Sequence, residues 1–173
     1  MKNRVLSLLF LIIIIFSTAA IAQEKTTQPQ TKYVPVTAYV PKRDAASDIQ
    51  DALAEADRTG KRVLLEVGGQ WCGWCHTMDR FFEENPSLLE LREQYFIMVK
   101  INYSPENQNT EALSKYPTIP GYPHLFVLDS NGKLLHSQDT SKLESGRSYD
   151  LDRFVLFLKK WGPNSTARPA SHR

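Results

Sequence analysis

The sequence lacks three things, and each absence removes a class of protein. The first is charge of one sign. The 173 residues hold 21 Lys+Arg against 19 Asp+Glu. Lys2 and Arg4 both fall in residues 1–22, which contain no acid, so the remainder carries 19 of each. Such a balance gives no general attraction for nucleic acid or an anionic membrane surface, and neither is expected as a partner. The second is cysteine. There are only two, Cys72 and Cys75, so the fold must rest on a hydrophobic core, which a chain of this length can bury. The third is a hydrophobic run long enough to span a bilayer. Val5 to Phe16 is apolar apart from Ser7, short against the ~20 residues a spanning helix needs. There is no internal repeat.

That short run has its own meaning. Lys2 and Arg4 precede it, and Ser17 to Ala22 follows with an Ala-x-Ala ending. Basic start, apolar middle and small-residue end form a secretory signal peptide over residues 1–22, cleaved before Gln23. No stable membrane span is expected after cleavage. No cysteine stands immediately after the cleavage point, which argues against a bacterial lipid anchor. The expected location is periplasmic or secreted. A single cysteine pair suits an oxidising or redox-managed compartment.

The two cysteines lie in Gln70-Trp71-Cys72-Gly73-Trp74-Cys75-His76. A Val/Leu-rich run, Arg62 to Val67, precedes this stretch and a helical pattern, Thr77 to Phe82, follows it. A cysteine pair where a strand gives way to a helix can cycle between dithiol and disulfide. Unpaired N–H groups and the positive dipole end of the helix favour a thiolate at its start. The first sulfur then attacks and the second resolves, as in thiol–disulfide exchange. Other readings share these residues. Cys72-x-x-Cys75-His76 also satisfies the attachment pattern of c-type haem. Two thiolates with His76 or His124 suggest metal, although adjacent Cys75 and His76 fit a tetrahedral site poorly. A static bridge would stabilise little, because the loop it closes is so small.

Taken in order, residues 23–44 read as a linker. Within it Tyr33 to Val40 alternates and is β-branched, an expected edge strand given its Pro35. Ser47 is expected to cap a helix from Asp48 to Arg58, stopped by Gly60. Arg62 to Val67 reads as a buried strand. The next helix is expected from Cys72 to Phe82, with a restart at Asn85-Pro86. Tyr95 to Ile101 is a second buried strand, Asn102 to Asn109 a polar loop, and Thr110 to Lys115 a short helix. His124 to Leu128 is a strand, Asp129 to Gly132 a hairpin turn, and Lys133 to His136 the returning strand. Asp150 caps a last helix ending at Trp161-Gly162, and residues 162–173 read as a flexible tail. The order predicts an α/β fold with a central mixed sheet and helices on both faces. It disfavours haem, which needs a helical pocket. Met78 and Met98 are poorly placed as axial ligands.

Three features in register resemble the thioredoxin superfamily: Trp71-Cys72-Gly73-Trp74-Cys75 after a strand, Gly121-Tyr122-Pro123 before a strand, and the hairpin Phe126 to Lys133. The resemblance covers residues 45–161 and is nearest to exported thioredoxin-like domains whose motif continues Cys-His. It implies a thiol–disulfide oxidoreductase acting on protein thiols or disulfides with an unidentified electron donor or acceptor. It implies no cofactor or metal beyond the Cys72–Cys75 couple. Cys72 would be the exposed nucleophile, its sulfur facing solvent. Cys75 would be the resolving thiol, covered by Trp71 and the Pro123 loop. Glu66 falls where the family keeps a buried acid and would exchange a proton with Cys75 through water. Trp71 and Trp74 would flank the pair, and His76 would favour the thiolate if charged. Tyr122 and a cis Pro123 would face substrate. The inner dipeptide Gly73-Trp74 departs from thioredoxin's Gly-Pro, so the direction of electron flow does not carry over. A c-type haem carrier and a non-catalytic binding module remain the alternatives.

Overall fold

The computed structural model describes residues 32–163. The expected signal peptide, linker residues 23–31 and most of the C-terminal tail lie outside the described residues. The elements run α1 (Ala45–Thr59), β1 (Arg62–Gly68), α2 (Gly73–Glu84), α3 (Pro86–Tyr95), β2 (Phe96–Asn102), α4 (Thr110–Leu113), β3 (His124–Leu128), β4 (Leu134–Asp139), a 3-10 turn (Thr140–Leu143), the short pair β5 (Glu144–Ser145) and β6 (Ser148–Tyr149), and α5 (Leu151–Trp161). Four strands form one sheet in the order β2-β1-β3-β4. The β1–β2 pair is parallel, while β1–β3 and β3–β4 are antiparallel. The sheet is therefore mixed, and helices cover both of its faces.

The two-residue period of β1 divides the core. Val63, Leu65 and Val67 pack with Ile49, Ala52 and Ala56 of α1. Leu64 points the other way, among Met78, Phe81, Phe82 and the α5 residues Phe154, Phe157 and Leu158. The same alternation puts Glu66 and Gly68 on the α2 side, directly under the cysteines. Because β1 is buried on both faces, its sequence reads as a continuous apolar run broken by one acid.

Several boundaries differ from those the sequence suggests. Asp44, not Ser47, caps α1: its carboxylate accepts the Ala46 and Ser47 N–H groups at 3.1 and 3.3 Å. Those groups lie within the first turn, which leaves Ser47 inside the helix. Residues Tyr33 to Val40 form no strand. Only Val36 pairs, as an isolated parallel bridge to Val99, with Lys100 N–H donating to Val36 O at 3.0 Å. Pro35 has no N–H to extend the ladder. Asn85 stands at the start of α3, yet its amide donates back to Phe81 O at 2.7 Å instead of capping. α2 begins at Gly73, with Cys72 as its N-cap. β4 runs three residues past His136. The short helix α4 ends at Leu113, before the expected Lys115, and β2 starts at Phe96; pattern and structure coincide where β3 spans His124–Leu128, Gly132 sits at φ 84° in the hairpin turn, and Asp150 accepts Arg153 N–H at the head of α5.

Candidate active site

Strand β1 delivers the chain to the cysteines through Gly68 and Gly69. Cys72 N–H donates to Gly69 O at 3.0 Å, closing the turn. As N-cap of α2, Cys72 directs Sγ at the free N–H groups of the first helical turn and accepts Cys75 N–H at 3.1 Å. Cys75, one turn on, is bonded to Cys72 in a disulfide. Hydrogen bonding and the helix dipole both favour negative charge on the first sulfur.

One sequence expectation is corrected here. Cys72 does not face solvent: it is 2 % exposed, and Cys75 is fully buried. At the helix start both cysteines pack with Tyr39, Trp74 and Tyr122. Trp71 is not the cover. It is 54 % exposed, donates Nε1–H to Tyr103 O at 2.7 Å and stands edge-on to Tyr122 at 5.4 Å. A Cβ at Gly73 or at Gly121 would meet nothing within 4 Å.

Below the disulfide lies a layer of ionisable groups. Glu66 is 1 % exposed. The Tyr39 hydroxyl donates to its Oε1, and Lys100 Nζ lies 3.7 Å from the same oxygen. Lys100 also pairs with Asp79 of α2 and sits over the Tyr39 ring, 4.7 Å from its centroid. The parallel register places Glu66 beside Lys100. Burial holds the Glu66 carboxyl above the usual carboxylate range, against the opposing pull of Lys100 and the Tyr39 hydrogen bond. Burial and the adjacent Glu66 likewise push the Tyr39 phenol well up. Gly68 is required at its position. A Cβ there would collide with Cys75 Sγ and stand 2.9 Å from the Tyr39 hydroxyl.

On the outer side Tyr122 stacks on Tyr103 with centroids 5.1 Å apart. Burial and Tyr103 raise its phenol to about 12. The Tyr122–Pro123 peptide bond is cis. Trp74 faces inward, edge-on to Tyr149 at 5.4 Å.

Two histidines of interest, His76 and His124, each hold a hydrogen-bond partner. His76 Nε2 donates to Gln70 O at 2.8 Å, closing the motif loop on itself. His124 is buried at the start of β3, 2.8 Å from Ser137 Oγ through Nε2, and burial lowers its pKa to about 4. Among the described residues, no group of three or more His, Cys, Asp and Glu is placed to hold a metal ion.

The structure therefore brings together Cys72, Cys75, Trp74 and Tyr122, with Trp71 against Tyr122 and Glu66 beneath. Sequence reasoning missed Tyr39, Lys100, Asp79 and Tyr103. A signal for Lys100 was present: Glu66 and Lys100 are opposite charges, each fifth in an apolar strand that pairs in register with the other.

Comparison with known proteins places these residues in a wider group. A family profile described as thioredoxin-like matches residues 44–130, half of the chain. The chain is 28% identical over 112 residues to protein disulfide-isomerase of Zea mays, covering 65% of this chain and 19% of that protein. It is 28% identical over 123 residues to thioredoxin H9 of Arabidopsis thaliana, covering 69% of this chain and 75% of the relative. Among solved structures, a disulphide isomerase from Xylella fastidiosa Temecula1 superposes with a TM-score of 0.61 at 26% identity, covering 74% of this chain and 98% of that one. The chain thus spans about a fifth of the maize isomerase and most of the other two. No helix among the described residues is long and apolar enough to cross a membrane.

Proposed function

Because the chain belongs to the thioredoxin-like family, we propose that it is a thiol–disulfide oxidoreductase whose working couple is Cys72–Cys75, acting on disulfides or thiols of exported proteins. The observation that carries this reading is the position of Cys72. It caps α2, its sulfur accepts an N–H of the first turn, and a second cysteine lies within bonding reach. In the dithiol, the Cys72 thiolate attacks a substrate disulfide. One substrate sulfur leaves as a thiol and the other stays bonded to Cys72. Cys75 then displaces it, and the Cys72–Cys75 disulfide is restored. Glu66 takes up the Cys75 proton as that thiol becomes a nucleophile. Trp71, Tyr122 and Pro123 form the wall along which the substrate chain lies. Trp74 packs the inner side of the pair, and His76 fixes the loop by its bond to Gln70. The couple needs no other cofactor, and a separate donor or acceptor resets it. The N-terminal sequence pattern supports export to the periplasm or beyond.

The test is trapping. The Cys75→Ser chain, incubated with exported proteins, should accumulate mixed disulfides on non-reducing gels, and Cys72→Ser should trap nothing. Equal trapping by both variants, or trapping through Cys75 alone, would reverse the assigned roles. A Soret band in the purified chain would replace this function with haem attachment. Reversible redox without reduction of insulin disulfides would leave a binding module.

A further inference from the structure

One hydroxyl touches the buried carboxylate and borders the same small space as the inner sulfur. It is the hydroxyl of Tyr39, from the segment ahead of α1 and outside the residues 44–130 that match the family profile. The Val36–Val99 bridge holds that segment on β2, and Gln70 Nε2 donates to Tyr39 O at 3.4 Å. The hydroxyl donates to Glu66 Oε1. It also shares with Cys75 Sγ the space beside Gly68, where a Cβ would clash with both. The ring is 3 % exposed and packs directly with the two cysteines.

We propose that the Tyr39 phenol relays the proton between Cys75 and Glu66, an inference that rests on the exchange reaction proposed above. When the mixed disulfide on Cys72 resolves, the Cys75 thiol gives its proton to the Tyr39 oxygen as the phenol gives its own to Glu66 Oε1. The Cys75 thiolate attacks Cys72 Sγ. The Cys72–Cys75 bond forms and the bond from Cys72 to the substrate sulfur breaks. The leaving thiolate carries away the electron pair and takes a proton from solvent. The two cysteines lose two electrons and the substrate disulfide gains two. In reverse, Glu66 reprotonates departing Cys75 through the same phenol.

The surroundings suit a relay. The phenol stays neutral because burial and Glu66 oppose its ionisation. Glu66 accepts a proton readily because burial raises its carboxyl. The charged and titratable groups facing the pair are Lys100 from β2, Asp79 from α2, Arg92 from α3 and Tyr149 from β6. Lys100 and Asp79 extend the network into the wall of a groove of about 770 Å³ along β2, where protons can exchange with solvent.

The test uses the full chain carrying Tyr39→Phe, which keeps the ring under Lys100 and removes only the oxygen. The reduced protein is mixed with oxidised glutathione, and closure of the Cys72–Cys75 bond is followed by tryptophan fluorescence. General acid–base catalysis contributes about 10²–10⁴-fold, so closure should slow by at least about tenfold at pH 7. The deficit should narrow as pH climbs past the ordinary thiol value of about 8.5, where ionisation needs less help. Glu66→Gln should show the same deficit, and the double variant should be no slower than the slower single one. Equal rates, a deficit independent of pH, or deficits that multiply would overturn the relay. Closure in the unsubstituted chain should also slow in heavy water, and unchanged closure there would overturn the relay whether or not the variants fold. The step is intramolecular, so it is read even if the chain reduces no protein. Failure of the proposed function would appear separately, as unreduced insulin.

Discussion

The two sides of the disulfide are built from different materials. Outward lie aromatic side chains carried on loops: Trp71, Tyr103 and Tyr122, joined by ring contacts and one hydrogen bond to a carbonyl. Inward lie groups carried mainly on strands and helix: Glu66 from β1, Lys100 from β2, Asp79 from α2, with Tyr39 reaching in from the N-terminal segment. The outer wall can shift by small amounts at little cost, because each ring keeps partial access to water. The inner layer cannot. Glu66 and Lys100 are withdrawn from solvent, so each depends on its neighbours. The difference separates the two tasks of an exchange reaction. Loops can adapt to an incoming chain, while strands hold a proton acceptor at a fixed place beneath the sulfur.

The sharpest way to break the comparison is to orphan the inner charge. Lys100→Met leaves Glu66 buried with the Tyr39 hydroxyl as partner. Removing one member of a buried pair costs about 3–5 kcal/mol, and that loss should appear in denaturant unfolding at pH 7. Adding Glu66→Gln should recover most of it. The sign with pH follows from the raised carboxyl. A folded pKa above the unfolded value gives stability that is full below the unfolded value and lost as pH rises through the folded one. The Lys100→Met deficit should therefore be smaller near pH 4 than at pH 7. An equal deficit at both would show that Glu66 is not the group left unpaired.

A second, smaller effect belongs to His124, buried behind the Pro123 loop. Its folded pKa, about 4, lies below the ordinary value of 6.5. Its contribution is present above pH 6.5 and lost as pH falls through 4, because the unfolded chain takes the proton first. The ring also faces Asp139 and His136, near the end of the sheet where water screens part of the penalty. The linked loss is about 1–3 kcal/mol. Unfolding curves of the unsubstituted chain and of His124→Asn, measured between pH 7 and pH 4, should diverge by that amount. Parallel curves would place His124 outside the titrating interior.

The same division explains what the sequence discloses. Local chemistry is legible where neighbours in the chain decide it. Asp150 caps α5, Gly132 takes the positive φ of its turn, and the cysteine pair sits at the start of α2. The family-like features are legible for the same reason, each being a short run. The inner layer is not local. Tyr39 alternates with its neighbours as a strand residue would, and only the pairing of Val36 alone leaves it free to turn inward. Lys100 hides in an apolar run until register sets it beside Glu66. Asp79 reads as one more polar helix residue. Cys72 seems exposed because it precedes the helix, yet Tyr39, Trp74 and Tyr122, from three separate segments, pack against it. Tyr103 carries no local sign at all, since its ring and carbonyl meet partners from other loops.

The smallest effect on stability should come from the outer wall, and it sharpens the contrast because its effect on function should be larger. Trp71→Phe keeps a ring beside Tyr122 and removes the Nε1–H bond to Tyr103 O. A hydrogen bond of this kind is worth about 0.5–1.5 kcal/mol net. Here the residue is more than half exposed, so water replaces much of the lost partner, and the loss should fall below about 1 kcal/mol. Substrate capture is different. A protein chain lying along the wall covers Trp71 and removes water from that position, so both ring area and the fixed orientation of the wall matter. The KM for a protein disulfide such as insulin should rise several-fold in Trp71→Phe, with kcat little changed. A small disulfide such as oxidised glutathione reaches the sulfur without spanning the wall and should react at the same rate. If Trp71→Phe instead destabilises the chain as much as Lys100→Met does, the wall is structural. The division between a yielding outer side and a rigid inner one would then not hold.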